Sequence, residues 1–198
     1  MKINQLYLLI AINLLYIIPA TYIFLRRSNI EFLAYLLIVL ILGVLFVRFL
    51  NKSYLKLHEM YLLSFWGFLH IMGGLLIFPN GSNLYSQIIV EVINNGGGYV
   101  LFKMDQLIHM YGFGITAYIM YRVLYEKTQK TQTSQLFVGV FAVVIAIGLG
   151  ALNEVVEFIV VLFLEFNGVG DLYNMGFDLI FNLLGAIIGT GVQYLRLK

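Results

Sequence analysis

Apolar residues gather into six long runs along the chain, at about Leu6–Leu25, Phe32–Phe49, Met60–Phe78, Gln106–Tyr125, Leu136–Leu164 and Tyr173–Leu195. Each is close to the roughly 20 residues that carry a helix across a hydrocarbon core of about 30 Å. The pattern predicts an all-α polytopic membrane bundle of six transmembrane helices, forming a single integral membrane domain over residues 1–198. Pro19 falls inside the first run and predicts a kink there, because it removes a backbone donor. That run follows Met1-Lys2 as a signal sequence would. No small-x-small cleavage site precedes Arg26-Arg27, however, so it is expected to stay as an anchor.

The connections are short and polar except for Pro79–Met104. Within that stretch Leu84–Ile93 is apolar around Glu91, and Asn94-Asn95-Gly96-Gly97-Gly98 follows. The sequence here predicts a short interfacial or re-entrant helix closed by a glycine break, serving either as a lid over the outer mouth or as filler. Asn80-Gly81-Ser82 matches a glycosylation acceptor, a triplet common by chance, and Thr128–Ser134 reads as a polar tether.

Charge orients the bundle. With six spans, Lys2, Arg48, Lys52, Lys56, Arg122, Lys127, Lys130, Arg196 and Lys198 fall on one face, against Arg26, Arg27 and Lys103 on the other. The positive-inside rule then puts both termini in the cytoplasm. Composition agrees with lipid burial: 61% of residues are hydrophobic and 11% charged, where soluble domains carry about 45–50% and about 25%. The absence of cysteine excludes disulfides, thiolate ligands and iron–sulfur clusters. Nothing in the chain points to a nucleotide, flavin or haem, and a net charge of +2 spread along its length offers no nucleic-acid patch.

Ionisable residues inside spans are costly in hydrocarbon and mark function or pairing. The third run holds His70; the fourth Asp105 and His109; the fifth Asn153, Glu154 and Glu157; the sixth Asp171, Asn174, Asp178 and Asn182. Counted inward from the outer ends at 1.5 Å per residue, His109 lies about 6 Å deep, Asp178 about 8 Å, Glu157 about 10 Å, His70 about 12 Å, Asn182 about 14 Å and Glu154 about 15 Å. They share the outer leaflet, so one outward-open pocket is expected above an apolar cytoplasmic half. Spacings of i,i+4 for Asp105 and His109, i,i+3 for Glu154 and Glu157, and 3, 4 and 4 along Asp171, Asn174, Asp178 and Asn182 let each set face inward together. Gly185 and Gly189 make a small-xxx-small stripe, which predicts that the sixth helix is the packed, central one. Gly148 and Gly150, and Gly112 and Gly114, offer similar close approaches.

Imidazoles with carboxylates on facing helices have the composition of a metal centre built inside a bundle. His70, Asp105, His109, Glu154, Glu157 and Asp178 are the candidate ligands for a divalent ion such as Zn, Mn, Mg or Ca. Glu154, Glu157 and His109 are the candidate catalytic groups, working through a metal-activated water or as a carboxyl acid and base. Asp171, Asn174, Asn182 and Asn153 are supporting residues. Plainer roles compete: helix capping for Asp105 and Asp171, a hydrogen-bonded core position for His70, and solvated interface positions for His58-Glu59.

Taken in order, Asp105-Gln-Leu-Ile-His109, Asn153-Glu154-x-x-Glu157, Asp171, and Asp178-x-x-x-Asn182-x-x-Gly185-x-x-x-Gly189 resemble the VanZ-like and YjdF-like families of small bacterial and archaeal membrane proteins. Glu157 favours the YjdF-like group, since VanZ-like proteins more often carry Glu-x-x-Gln. His70-Ile-Met-Gly73-Gly74 with Tyr85 in the next loop also looks YjdF-like. The resemblance covers about residues 58 to 192 and implies a prokaryotic plasma-membrane protein; VanZ-like members are associated with teicoplanin resistance. One departure is that Asn167-Gly-Val-Gly stands before Asp171, where VanZ-like proteins often have an arginine. The leading expectation is a cell-envelope protein whose outward acidic and histidine pocket binds or processes a lipid head group or lipid-linked precursor, with a divalent metal in attendance. A cation- or proton-linked carrier and a non-enzymatic membrane scaffold with a buried polar network are the alternatives.

Overall fold

The computed structural model describes residues 3–49, 55–91, 102–131, 133–163 and 172–198. Among them are six α-helices: α1 (Ile3–Arg26), α2 (Ile30–Phe49), α3 (Leu57–Leu75), α4 (Met104–Thr128), α5 (Gln135–Phe163) and α6 (Leu172–Leu197). They coincide with the six apolar runs to within a few residues. Three of them, α1, α5 and α6, are long and apolar enough by themselves to cross a membrane. α1 continues unbroken through Pro19, and α3 stops at Leu75, short of Phe78. Lys2, Lys52, Gly96, Gly97, Gly98 and Asp171 lie outside the described residues.

The bundle is apolar outside, and the inner face of α6 is small or polar. Leu179, Ile180, Leu183, Leu184, Ile187 and Ile188 of α6 are exposed. Its buried stripe is Asn174, Asp178, Asn182, Gly185, Gly189 and Gln193, stepping 4, 4, 3, 4 and 4. In water this would be an extended apolar patch; in hydrocarbon it is the arrangement that lets backbones approach and polar groups find partners.

The central helix is α4, not α6. It packs against α3, α5 and α6, and every residue from Ile115 to Arg122 is buried. Because its neighbours are protein on most sides, α4 needs no lipid-compatible stripe, which explains its lower apolar content. The glycine stripe of α6 packs on it as expected. A Cβ at Gly185 would overlap the Met110 carbonyl oxygen and one at Gly189 that of Gly114. Ala117, Ala146 and Ala186 meet where α4, α5 and α6 converge. Gly112 makes room for Trp66 and Gly150 for Asn182, whereas Gly148 faces open space.

α1 and α2 lie against the other side of α3, around Ala20, Phe24, Leu36 and Ile71. Asn29 caps α2 by accepting the Phe32 N–H at 3.1 Å. Arg27 donates to the Leu75 carbonyl at 2.8 Å, satisfying an orphan acceptor where α3 ends.

The expected helix over Leu84–Ile93 is not formed in its described part. Instead Ile88–Val90 is a strand, β1, paired antiparallel with β2 (Phe102–Lys103). Gly81, at φ +83, turns the chain, with the Ser82 N–H and hydroxyl both on Asn80 Oδ1. The segment spends its backbone groups on the helix ends. Leu84 N–H bonds Leu76 O at 3.0 Å, Tyr85 N–H bonds Gly73 O at 3.2 Å, and Met104 N–H bonds Gln87 O at 2.8 Å. A helix over the same residues would have to give up these ties to α3 and α4.

The half of the bundle away from the loop is not purely apolar. Glu59, completely buried, takes Arg122 Nε at 2.5 Å and a second guanidinium nitrogen at 2.7 Å. Arg122 also donates to Glu126 at 2.9 Å. Glu59 is thus a buried ion-pair partner rather than a solvated interface residue, and Arg122 is held inside the bundle rather than free at its face. His58 is half-buried, within 3.5 Å of the Tyr118 hydroxyl.

Candidate functional site

Where α4 begins, Gln106 sets the geometry. Its Oε1 accepts the Lys103 N–H at 2.7 Å, so its amide nitrogen must point the other way. It donates to Asp178 at 2.8 Å and to Asn174 at 3.2 Å. Asn174 in turn donates to Asp178 at 2.7 Å and to Asp105 at 2.9 Å, and its oxygen takes the Lys103 ammonium at 3.0 Å. Asp105 therefore serves the site rather than capping α4, since Lys103, two residues before it, holds the cap position. Its place in the first turn still suits the helix dipole.

One turn further, His109 sits at the meeting point of α4, α5 and α6, completely enclosed. Its Nδ1 lies 3.2 Å from Asn182 Oδ1 and 3.4 Å from Glu154 Oε1. Its Nε2 lies 3.6 Å from Asp105 and 4.0 Å from Glu157. Two sets of potential ligand atoms result, Asp105 with His109 and Asp178, and His109 with Glu154 and Glu157; within each set all atoms fall within 4.8 Å of one another. Asn153 supports Glu157, donating to it at 2.7 Å.

Glu154 is the anomaly. It is 3% exposed, yet neither carboxylate oxygen makes a hydrogen bond of good geometry, its nearest charged neighbour being His109 Nδ1 at 3.4 Å, and the Asn182 amide nitrogen is also unsatisfied. Buried polar groups are rarely left this way without an ion, a water or a proton to complete them.

His70 belongs to neither set. Its ring stands 6.0 Å from that of His109, nearly edge to face. Its Nδ1 is 2.6 Å from the Tyr85 hydroxyl, which also donates to the His70 carbonyl at 2.8 Å. Tyr85 is seated against Gly73, where any Cβ would collide with the ring, and stacks on Phe32. Burial first, then the charges of Asp105 and Glu157, push the Tyr85 phenol well above its ordinary value, keeping it a donor. A cavity of about 70 Å³ adjoins these groups. Its lining includes the polar His70, Tyr85, Asp105, Asn153 and Glu157 and the largely apolar Phe24, Phe32, Tyr35, Leu36 and Ile71.

The candidate residues thus converge, apart from His70, which stands beside the ligand sets, and Asp171, which lies outside the described residues. Gln106, Lys103 and Tyr85 join them without having been singled out as site residues. Gln106 was detectable, since it stands one turn before His109 on the same helix face. Lys103 and Tyr85 reach the site through tertiary contacts that no local spacing reveals.

These features define a helical integral membrane protein with a buried histidine–carboxylate cluster at one end of its bundle. The chain belongs to the family described as predicted membrane protein (DUF2238), which matches residues 5–198. No curated protein and no solved structure matches it.

Proposed function

We propose that this protein holds a divalent cation among His109, Asp105, Glu154, Glu157 and Asp178 and uses it to bind or process the polar head of a membrane lipid or lipid-linked precursor. The observation that carries this reading is Glu154, a buried carboxylate whose oxygens make no hydrogen bond of good geometry, beside an imidazole and further acids. A cation would supply the missing partner and offset the repulsion among the carboxylates. One imidazole with carboxylate oxygens is a donor set for Zn²⁺ or Mn²⁺ rather than for an all-oxygen Ca²⁺ cage. When bound, such an ion polarises a phosphoryl or carbonyl oxygen or activates a water. The acidic site by itself repels an anionic head group, so phosphate affinity should rise and fall with metal content.

The cavity suits a few waters or a bare ion better than a whole head group. A head group would engage it from the side of Tyr85 and Asp105, or enter as α2 moves off α5. The same small volume favours, as a second reading, a carrier of a bare cation or a proton.

Within the wider family we assign the chain to the YjdF-like kind, on the Asp105-x-x-x-His109 and Glu154-x-x-Glu157 patterns. We place it as a single six-span unit in a prokaryotic plasma membrane, with both termini inside and the cluster in the outer leaflet. Elemental analysis of protein purified without chelator tests the metal. Near one equivalent of a divalent ion is expected in the natural sequence, falling at least tenfold in Glu154→Gln and in His109→Ala. No metal in the natural sequence, with lowered stability of both variants, would leave a packing network instead. Proton-coupled uptake by vesicles without metal would favour the carrier.

A further inference from the structure

The Tyr85 hydroxyl has a single proton but two contacts on His70, the backbone carbonyl at 2.8 Å and the ring Nδ1 at 2.6 Å. A carbonyl can only accept. If the phenol gave its proton to Nδ1, two oxygen lone pairs would face each other at 2.8 Å in a buried place. Both contacts are hydrogen bonds only when the phenol donates to the carbonyl and the ring donates Nδ1–H to the phenol oxygen. We infer that Tyr85 locks neutral His70 as its Nδ1–H tautomer, which leaves Nε2 as the bare, proton-accepting nitrogen of a ring that lines the cavity.

Free neutral histidine prefers the opposite tautomer, so the assignment is a consequence of this fold. Three features hold the phenol in place. Gly73 admits the ring, Phe32 stacks on it, and the Tyr85 N–H and carbonyl are tied to Gly73 and to the Asp105 N–H. Tyr85 is therefore a positioning residue, acting through His70. The cavity wall that His70 shares with Asp105, Asn153 and Glu157 gives a bare nitrogen a use: accepting a proton from a water or hydroxyl group bound there. That use rests on the functional reading above, whereas the tautomer itself does not.

The chain has three histidines, so the ring nitrogens can be resolved one by one. Protein labelled with ¹⁵N-histidine, in lipid nanodiscs near neutral pH and without added metal, is examined by long-range ¹H–¹⁵N correlation. The His70 signals are identified by their loss in His70→Gln. The expected result is a proton on Nδ1 and none on Nε2, with the majority moving to Nε2 in Tyr85→Phe, which keeps the ring's stacking. A proton on Nε2 in the natural sequence overturns the inference, whether or not the variant folds. So does an unchanged His70 pattern in a Tyr85→Phe protein whose circular dichroism matches the natural one. Metal content measured on the same samples bears on the functional reading alone, so the two can fail separately.

Discussion

Replacing Arg122 by leucine is expected to destabilise the protein by about 3–5 kcal/mol, because it strands the completely buried Glu59 carboxylate without its bidentate partner. Glu59→Leu should cost a similar amount, since it takes the bidentate carboxylate from the buried guanidinium and removes the acceptor of the Lys56 N–H at the start of α3. The double variant should be less damaged than either single one, because two apolar side chains in a lipid-surrounded bundle require no partner. Unfolding in mild detergent, arranged as a double-mutant cycle, measures this. Single variants within about 0.5 kcal/mol of the natural protein would mean that water reaches the pair.

Adding one methyl at Gly185 or Gly189 should also be costly. The obstacles are the backbone oxygens of Met110 and Gly114, which cannot rotate away as a side chain tip would. Accommodation requires α6 to move off α4, and overpacking of this kind costs about 1–3 kcal/mol or more. Asp178 and Asn182 sit one to two turns from Gly185 on the same buried stripe. The displacement should therefore also lower metal content, linking fold to site. Gly148→Ala is the control, since its Cβ would meet nothing within 4 Å; it should be neutral or slightly stabilising through helix propensity. Equal effects at Gly148 and Gly185 would show that the α4–α6 contact is not tight.

Much of this molecule was written in its sequence as periodicity. The six apolar runs became six helices, and the 4, 4 and 4-residue steps of Asn174, Asp178 and Asn182 and of Gly185 and Gly189 became the buried face of α6. Helical spacing turned the acids and His109 to the inner faces of their own helices, and the packing of α4, α5 and α6 brought those faces together. What was not legible had non-local causes. Glu59 and Arg122 are 63 positions apart, and each looked like an interface charge until α3 and α4 were set side by side. The apolar stretch after Leu84 could be read as helix or strand, since a short run carries no decisive period. The β-branched residues Ile88-Ile89-Val90 and the ties to Gly73, Leu76 and Met104 decided for the strand. The central position of α4 was hidden because, in lipid, a helix surrounded by protein is the less apolar one, the reverse of a water-soluble core.

In the proposed site, His109 bonds a cation jointly with the acids around it. Pulsed electron paramagnetic resonance of Mn²⁺ added to the purified protein tests this at the bond itself. The expected spectrum shows nitrogen coupling from one directly bound imidazole, absent in His109→Ala and weakened in Glu154→Gln. A spectrum of water-coordinated Mn²⁺ without that coupling, or coupling that survives His109→Ala, would contradict it.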